Sequence, residues 1–387
     1  MRKKLSRFAA WLLTLGILAV CLSGCWDYKG LRELTVVAGI ALDQSDNAPN
    51  VYSLSFEIVD STTPPKEQAD SVMITSEGRT IFEAVNNANK QLHNEMYFGN
   101  TDIIVVSRQL AETVGIDNIF DAFLRDYNTR DSLLITISRE LTAKELLESP
   151  EDENRISSYF LSDSLIDSTA GTNFTRAYKL FEVYNLRMEN AGEIMLPALR
   201  FEDKEKKLLR TDGMALFKKD KLTGFLADED MPGLIFATEK LSGGHYVAEL
   251  DKVGDYLTAD VISSKPKLGF RYESGRLTLT SFVNVLARVV EVDTDIKEIH
   301  DEEMEFFEQK ACESMVSDIT KVIKKMQAER EDIFLFGREI FRKDPRLWDT
   351  LKDDWDTRFS QAEVEVSCEF LINDTGMIRG YYAEGVS

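Results

Sequence analysis

The first 25 residues constrain this chain most, because they decide where the folded body begins. Arg2, Lys3, Lys4 and Arg7 give a positive start with no acidic residue. Phe8 to Leu22 then form an apolar run interrupted only by Thr14 and Gly16. The run is about 15 residues long, short of the roughly 20 that a membrane-spanning helix needs. Charge and length together fit a secretory signal, which is removed and adds nothing to the fold. The positive end stays on the cytoplasmic side, so the rest of the chain is expected across the membrane.

The run ends in Leu22-Ser23-Gly24-Cys25. Small Ser23 and Gly24 leave the backbone open to an intramembrane protease just before the cysteine. A thiol, partly thiolate near neutral pH, is a good nucleophile for taking up a diacylglyceryl group. The tetrapeptide resembles the lipobox of bacterial prolipoproteins. That resemblance implies removal of residues 1–24, lipidation of Cys25 and attachment of the body to the bilayer through diacylglyceryl-Cys25. Each buried methylene contributes about 0.8 kcal/mol, so two acyl chains hold permanently where one does not. Eight residues separate Cys25 from an apolar, β-branched strand starting at Leu34, a reach of at most about 30 Å. With no Gly/Ser-rich tether, the first domain is expected close to the membrane surface.

The formal charge is −21, and removal of the signal leaves the remainder four charges more negative. Such a body repels nucleic acid phosphates and anionic headgroups. Nucleic acid is therefore excluded as a partner, and lipid rather than basic charge must hold the chain at a membrane. The three histidines, His93, His245 and His300, stand apart, with no HExxH or Cys-x-x-Cys company. No Walker A or GxSxG sequence occurs, so no cofactor, metal ligand or catalytic residue is assigned, and the chain is read as a non-enzyme. Asp228-Glu229-Asp230 and Asp301-Glu302-Glu303 lack EF-hand spacing and read as solvated surface. Of four cysteines, Cys21 leaves with the signal and Cys25 takes lipid. Cys312 and Cys368 lie on apolar faces, as two buried thiols or one disulfide, and their spacing does not choose.

Hydrophobic content of 43% is ample for packed cores, and the length fits two or three domains. Leu34 to Asp43, Val51 to Asp60, Thr101 to Ser107 and Ser132 to Ser138 read as strands, separated by helices from Gly78 to His93 and Asp117 to Arg125. Pro197 and the charged Glu202 to Lys207 read as a boundary. Gly213 to Phe217 and Lys221 to Leu226 predict a hairpin. Strands at Tyr256 to Ile262, Lys267 to Tyr272 and Arg276 to Val292 precede a long helix, Asp295 to Arg330, with Met304, Phe307, Ala311, Met315, Ile319, Val322 and Met326 as one stripe. Glu363 to Ile372 alternates as a final strand. The expected fold is α+β: three mixed α/β domains in series, with the long helix of the C-terminal half packed on a sheet. The expected divisions are a signal at 1–24, an N-terminal domain at 25–200, a small middle domain with the hairpin at 205–272 and a C-terminal domain at 273–387.

Short segments along the mature chain then accumulate into a resemblance. They begin with Cys25-Trp26-Asp27 and Gly39-Ile40-Ala41-Leu42-Asp43. Gly78-Arg79-Thr80-Ile81-Phe82-Glu83-Ala84, Tyr97-Phe98-Gly99 and Phe123-Leu124-Arg125-Asp126 follow. Ala215-Leu216-Phe217, Asp220-Lys221-Leu222-Thr223-Gly224, Asp332-Ile333-Phe334-Leu335-Phe336-Gly337 and Pro345-Arg346-Leu347-Trp348 complete them. In this order and spacing the chain resembles the Ger(x)C family, the C subunits of spore germinant receptors. Gly30 departs from the Glu common there, which leaves the lipobox intact. The resemblance implies a lipoprotein on the outer face of the spore inner membrane, working with multi-span A and B subunits in nutrient sensing. It implies no catalytic residue; Cys25 alone carries over as a functional position. The rival readings are a substrate-binding lipoprotein of an importer and a tethered hydrolase. The long strand from Arg276 and the final helix-plus-strand fit two ligand-clasping lobes poorly, and no nucleophile–base pair supports the hydrolase.

Overall fold

The computed structural model describes residues 34–46, 48, 51–59, 71–125, 129–130, 132–148, 156–171, 175–188, 193–250, 255–293 and 301–374, together with Lys4, Arg7, Phe8, Trp11 and Thr14. Cys25 and the expected cleavage point lie outside the described residues.

β1 (Leu34–Gln44), β2 (Tyr52–Val59) and β3 (Ser71–Gly78) form an antiparallel meander. α1 (Ile81–Asn89), the short β4 (Glu95–Tyr97) and β5 (Ile103–Ser107) follow. α2 (Arg108–Thr113) and α3 (Asp117–Arg125) lead to β6 (Leu134–Ser138). Next come α4 (Lys144–Leu147), α5 (Ser157–Gly171), β7 (Tyr178–Lys179), α6 (Leu180–Met188) and β8 (Ile194–Asp203). β9 (Leu208–Lys218) and β10 (Lys221–Leu226) end a ten-stranded sheet of order β10-β9-β8-β6-β5-β1-β2-β3, with β4 beside β1 and β7 beside β6.

The centre of this sheet is parallel, and every residue of β5 and β6 is buried. Parallel strands covered on both faces need continuous apolar runs, which is what Ile103 to Val106 supply. Alternate side chains divide between two cores: Ile103 and Val105 meet Leu146, Leu161 and Leu165, while Ile104 and Val106 join the core beneath α1 and α3. Helix ends are tied to the sheet by buried carboxylates. Glu57, on β2, accepts from Ser157 N at 2.9 Å and Ser158 N at 2.8 Å, and so caps α5. Asp43 accepts from Ala143 N at 2.6 Å and Lys144 N at 3.1 Å at the start of α4, and burial raises its pKa. These side chains satisfy amides that have no partner inside a helix's first turn.

The expected hairpin is present as β9–β10, but β9 also pairs antiparallel with β8. Glu202 to Lys207, read as a boundary, spans the end of β8 and the β8–β9 turn, and Pro197 lies within β8 beside a register shift between Pro197 and Leu199. The division expected at 200–205 therefore falls inside a hairpin, and strands from beyond it form one edge of the first sheet.

α7 (Met231–Thr238) is buried almost all round and leads to the second sheet. β11 (His245–Glu249), β12 (Tyr256–Glu273) and β13 (Arg276–Asp293) are antiparallel. α8 (Asp301–Glu329), α9 (Phe336–Lys343), α10 (Pro345–Leu351) and α11 (Trp355–Gln361) then cross to β14 (Glu363–Asp374), which lies parallel to β13. A parallel pair requires such a long crossover. The predicted stripe holds: Phe307, Ala311, Met315, Ile319, Val322 and Met326 on α8 are all buried. The two strands expected on either side of Pro266 are one. Pro266 pairs with Val283 of β13, beyond the stretch of β12 that β11 covers, so its missing N–H interrupts no ladder on the other side. Fold class is as expected, mixed α/β in two sheets with the long helix on the second.

One surface reading changes. Asp230 is buried and paired with Lys325 at 2.6 Å and Lys321 at 3.3 Å, because α7 packs its own start against α8.

Candidate functional site

The segments that carried the family resemblance sort into two kinds. Some build the interior. Asp332 is buried and accepts from Phe336 N at 3.1 Å, Gly337 N at 2.7 Å and Trp355 Nε1 at 3.1 Å. Burial pushes its pKa up to about 6 in spite of those donors. Trp348 stands edge-on to Trp355 at 5.2 Å, and a Cβ at Gly337 would strike the Trp348 ring at 2.8 Å. This motif locks α9, α10 and α11 together.

Three other segments converge on an open cleft of about 690 Å³ between α1 and α3. Gly78-Arg79-Thr80-Ile81-Phe82 supplies one wall. Thr80 Oγ1 accepts from Glu83 N at 3.0 Å, and Glu83 Oε2 accepts from Arg79 N at 2.8 Å, a reciprocal cap that starts α1 sharply at the end of β3. A Cβ on Gly78 would lie 2.3 Å from Ala84 N, so only glycine lets helix and strand meet this closely. Phe98 and Phe123, from the Tyr97-Phe98-Gly99 and Phe123-Leu124-Arg125 segments, supply the floor. Phe98 is 6.3 Å from Phe56 and 6.4 Å from Phe123, tying the floor to the core. Tyr52, at the head of β2, accepts from Asn118 Nδ2 at 2.9 Å and closes one end.

The cleft is apolar below and charged at the rim. Arg125 pairs with Asp121 at 2.6 Å across one turn of α3, and both are exposed. Arg79 and Glu95 stand on the lining as well. Phe82 is 72% exposed although it lies beside the buried Ile81. The ring is held out in water at the edge of the cleft, on a helix that is firmly capped. Glu95 is aligned with Leu34 where β4 pairs with β1, which places this lining next to the strand that follows Cys25 in the chain.

Cys25 falls outside the described residues, so its surroundings are not part of this geometry. Among the described residues no group of three His, Cys, Asp or Glu side chains is placed to hold a metal ion. No helix among them is long and apolar enough to cross a membrane. Cys312 and Cys368 are free thiols brought side by side, with the Cys312 thiol donating to the Cys368 carbonyl at 3.0 Å. The cleft was missed from sequence because its three segments lie up to 47 residues apart and contain no residue type that marks chemistry. Helical spacing places Phe82 with Val85, Ala88 and Leu92 on the apolar side of its helix, but the structure buries Ile81, Ala84 and Ala88 and leaves Phe82 exposed.

Comparison with known proteins bears on both halves. A family model described as a spore germination protein N-terminal domain matches residues 27–201, and one described as spore germination B3/GerAC like, C-terminal, matches 212–376. The two matches meet around the β8–β9 turn. Spore germination protein KC of Bacillus subtilis (strain 168) is 22% identical, over 92% of this chain and 93% of its own. Spore germination protein B3 of the same organism is 24% identical over 97% and 99%. Spore germination protein A3, also from that organism, is 24% identical over 94% and 97%. The crystal structure of the GerBC protein superposes on 90% of this chain and 100% of its own, with a TM-score of 0.54 and 18% identity, a likeness of fold.

Proposed function

This chain belongs to the Ger(x)C family, the C subunits of spore germinant receptors, and we propose that it is a lipid-anchored, non-catalytic subunit that docks membrane partners through the cleft between α1 and α3. In this reading the diacylglyceryl group on Cys25 holds the body on the outer face of the spore inner membrane. The multi-span A and B subunits are the partners, and the work is assembly or signal relay rather than chemistry. Confinement to two dimensions raises the effective concentration of the cleft near those partners. The observation that supports the reading is the meeting of three resemblance-bearing segments at one exposed, aromatic-rimmed cleft beside the strand nearest the anchor.

Two variants test it in spores. Cys25→Ala should release the protein from the membrane fraction and lower germination. Phe82→Asp changes a side chain that is mostly in water, so the protein should accumulate and stay on the membrane while co-purification with the A and B subunits drops by about tenfold or more, as for loss of an interface anchor. Undiminished co-purification of Phe82→Asp would remove the cleft from the account, and full membrane retention of Cys25→Ala would remove the anchor.

A further inference from the structure

We propose that Cys312 and Cys368 are a disulfide-forming pair, a built-in clamp that joins α8 covalently to β14. The two residues are 56 positions apart in sequence, yet the thiol of Cys312 lies 3.0 Å from the carbonyl oxygen of Cys368. One helical turn earlier, Glu308 Oε1 accepts from Ile372 N at 2.7 Å, so the same helix is already registered on the same strand. Phe307, Ala311 and Met315 flank Cys312 in the packed stripe of α8, and Phe370 and Ile372 continue the apolar face of β14. With helix and strand registered on each other beside the pair, the two cysteines meet at one point of the helix–strand contact, the proximity that bridging requires.

β14 is the element that gains. It is the edge strand of the four-stranded sheet, paired on one side with β13 and connected to it in the chain by the long crossover that α8 begins. An open edge strand is the part of a sheet most prone to fray or to pair with another chain. A covalent bond to α8 would pin it.

The reaction balances with a low-molecular-weight disulfide as oxidant. One protein thiolate attacks the oxidant, forming a mixed disulfide and releasing one small thiol. The second cysteine attacks the mixed disulfide, forming the Cys312–Cys368 bond and releasing the second small thiol. The protein loses two protons and two electrons, and the oxidant's sulfur–sulfur bond is reduced. Either cysteine can make the first attack, and the other then resolves the mixed disulfide. Nothing in this chemistry depends on the cleft or on lipid at Cys25.

The test uses the full chain in detergent, incubated with oxidised glutathione or with dithiothreitol. Peptide mapping should find residues 312 and 368 in one linked pair, two hydrogens lighter than the separate peptides and split again by dithiothreitol. The oxidised chain should melt about 5 °C or more above the reduced chain, since a loop of this length is closed in the unfolded state. Cys312→Ser and Cys368→Ser, each compared with itself in the two conditions, should show no such difference. Free thiols or separate glutathione adducts at both positions after oxidation would overturn the pairing. A linked pair with unchanged melting would overturn the clamp.

Discussion

Glu193 stands just before β8, facing residues from the far end of the chain. One of its carboxylate oxygens is buried without a hydrogen-bond partner, as is one of Glu331. Burial first, and then the nearby Glu331, push its pKa up to about 8. Lys218 works the other way but is shared with Asp356, 2.6 Å from it, and Asp356 and Asp332 add further negative charge. A carboxyl group that ionises later in the folded chain than in the unfolded one holds its proton better when folded. Its stabilising contribution is complete below the ordinary value of 4.5 and is lost as pH climbs to about 8. The melting temperature should therefore decline across that window, and Glu193→Gln should flatten the decline. Melting curves for both proteins across the range check this; parallel declines would refute it. None of this was legible in the sequence, where Glu193 is one acid among many in an acidic chain. What makes it unusual is Glu331, far along the chain, and only folding brings the two together.

Glu57 shows the same blindness one level up, where a single side chain holds a helix. Alternation correctly placed β2, with Tyr52, Leu54, Phe56 and Ile58 on its apolar face. On the opposite face Glu57 is buried beneath α5. It takes hydrogen bonds from the first amides of that helix, from the Ser158 hydroxyl and from Ser71 Oγ at 2.8 Å. Glu57→Ala would leave the Ser157 and Ser158 donors buried and unmatched, a loss of about 3–5 kcal/mol. Urea unfolding should show it, and a change below about 1 kcal/mol would mean that water replaces the carboxylate without penalty. Local pattern did suffice for α8, because its stripe is long and strictly periodic. It failed between Ile262 and Lys267, where two strands were expected, because β12 runs on through Pro266, a proline being harmless where no neighbouring strand needs its N–H.

The two halves of the molecule are not separate beads. One apolar core runs from beneath α1 and α3, through β9, β10 and α7, to the second sheet and α8. The family models meet at the β8–β9 turn, but the sheet continues across it. We propose that a first domain complete in itself must include the β9–β10 hairpin. A chain ending at Asp203 would expose the outer edge of β8 and should aggregate. A chain ending at Leu226 should remain largely soluble, and size-exclusion chromatography distinguishes the two. Equal behaviour of both would show that the hairpin is dispensable to the sheet.

Sequence by itself determined the mixed α/β class, the strands with clear alternation, the stripe on the long helix and the family. These are properties of neighbours within one element or of ordered short segments, and physical periodicity or chemistry is enough to reveal them. Only the tertiary structure decided that the predicted hairpin extends the first sheet, that Asp230 and Glu57 are buried, that two distant cysteines touch, and that three plain segments form one cleft. Each of these depends on which surfaces meet, and that follows from how whole layers pack rather than from any single stretch of chain.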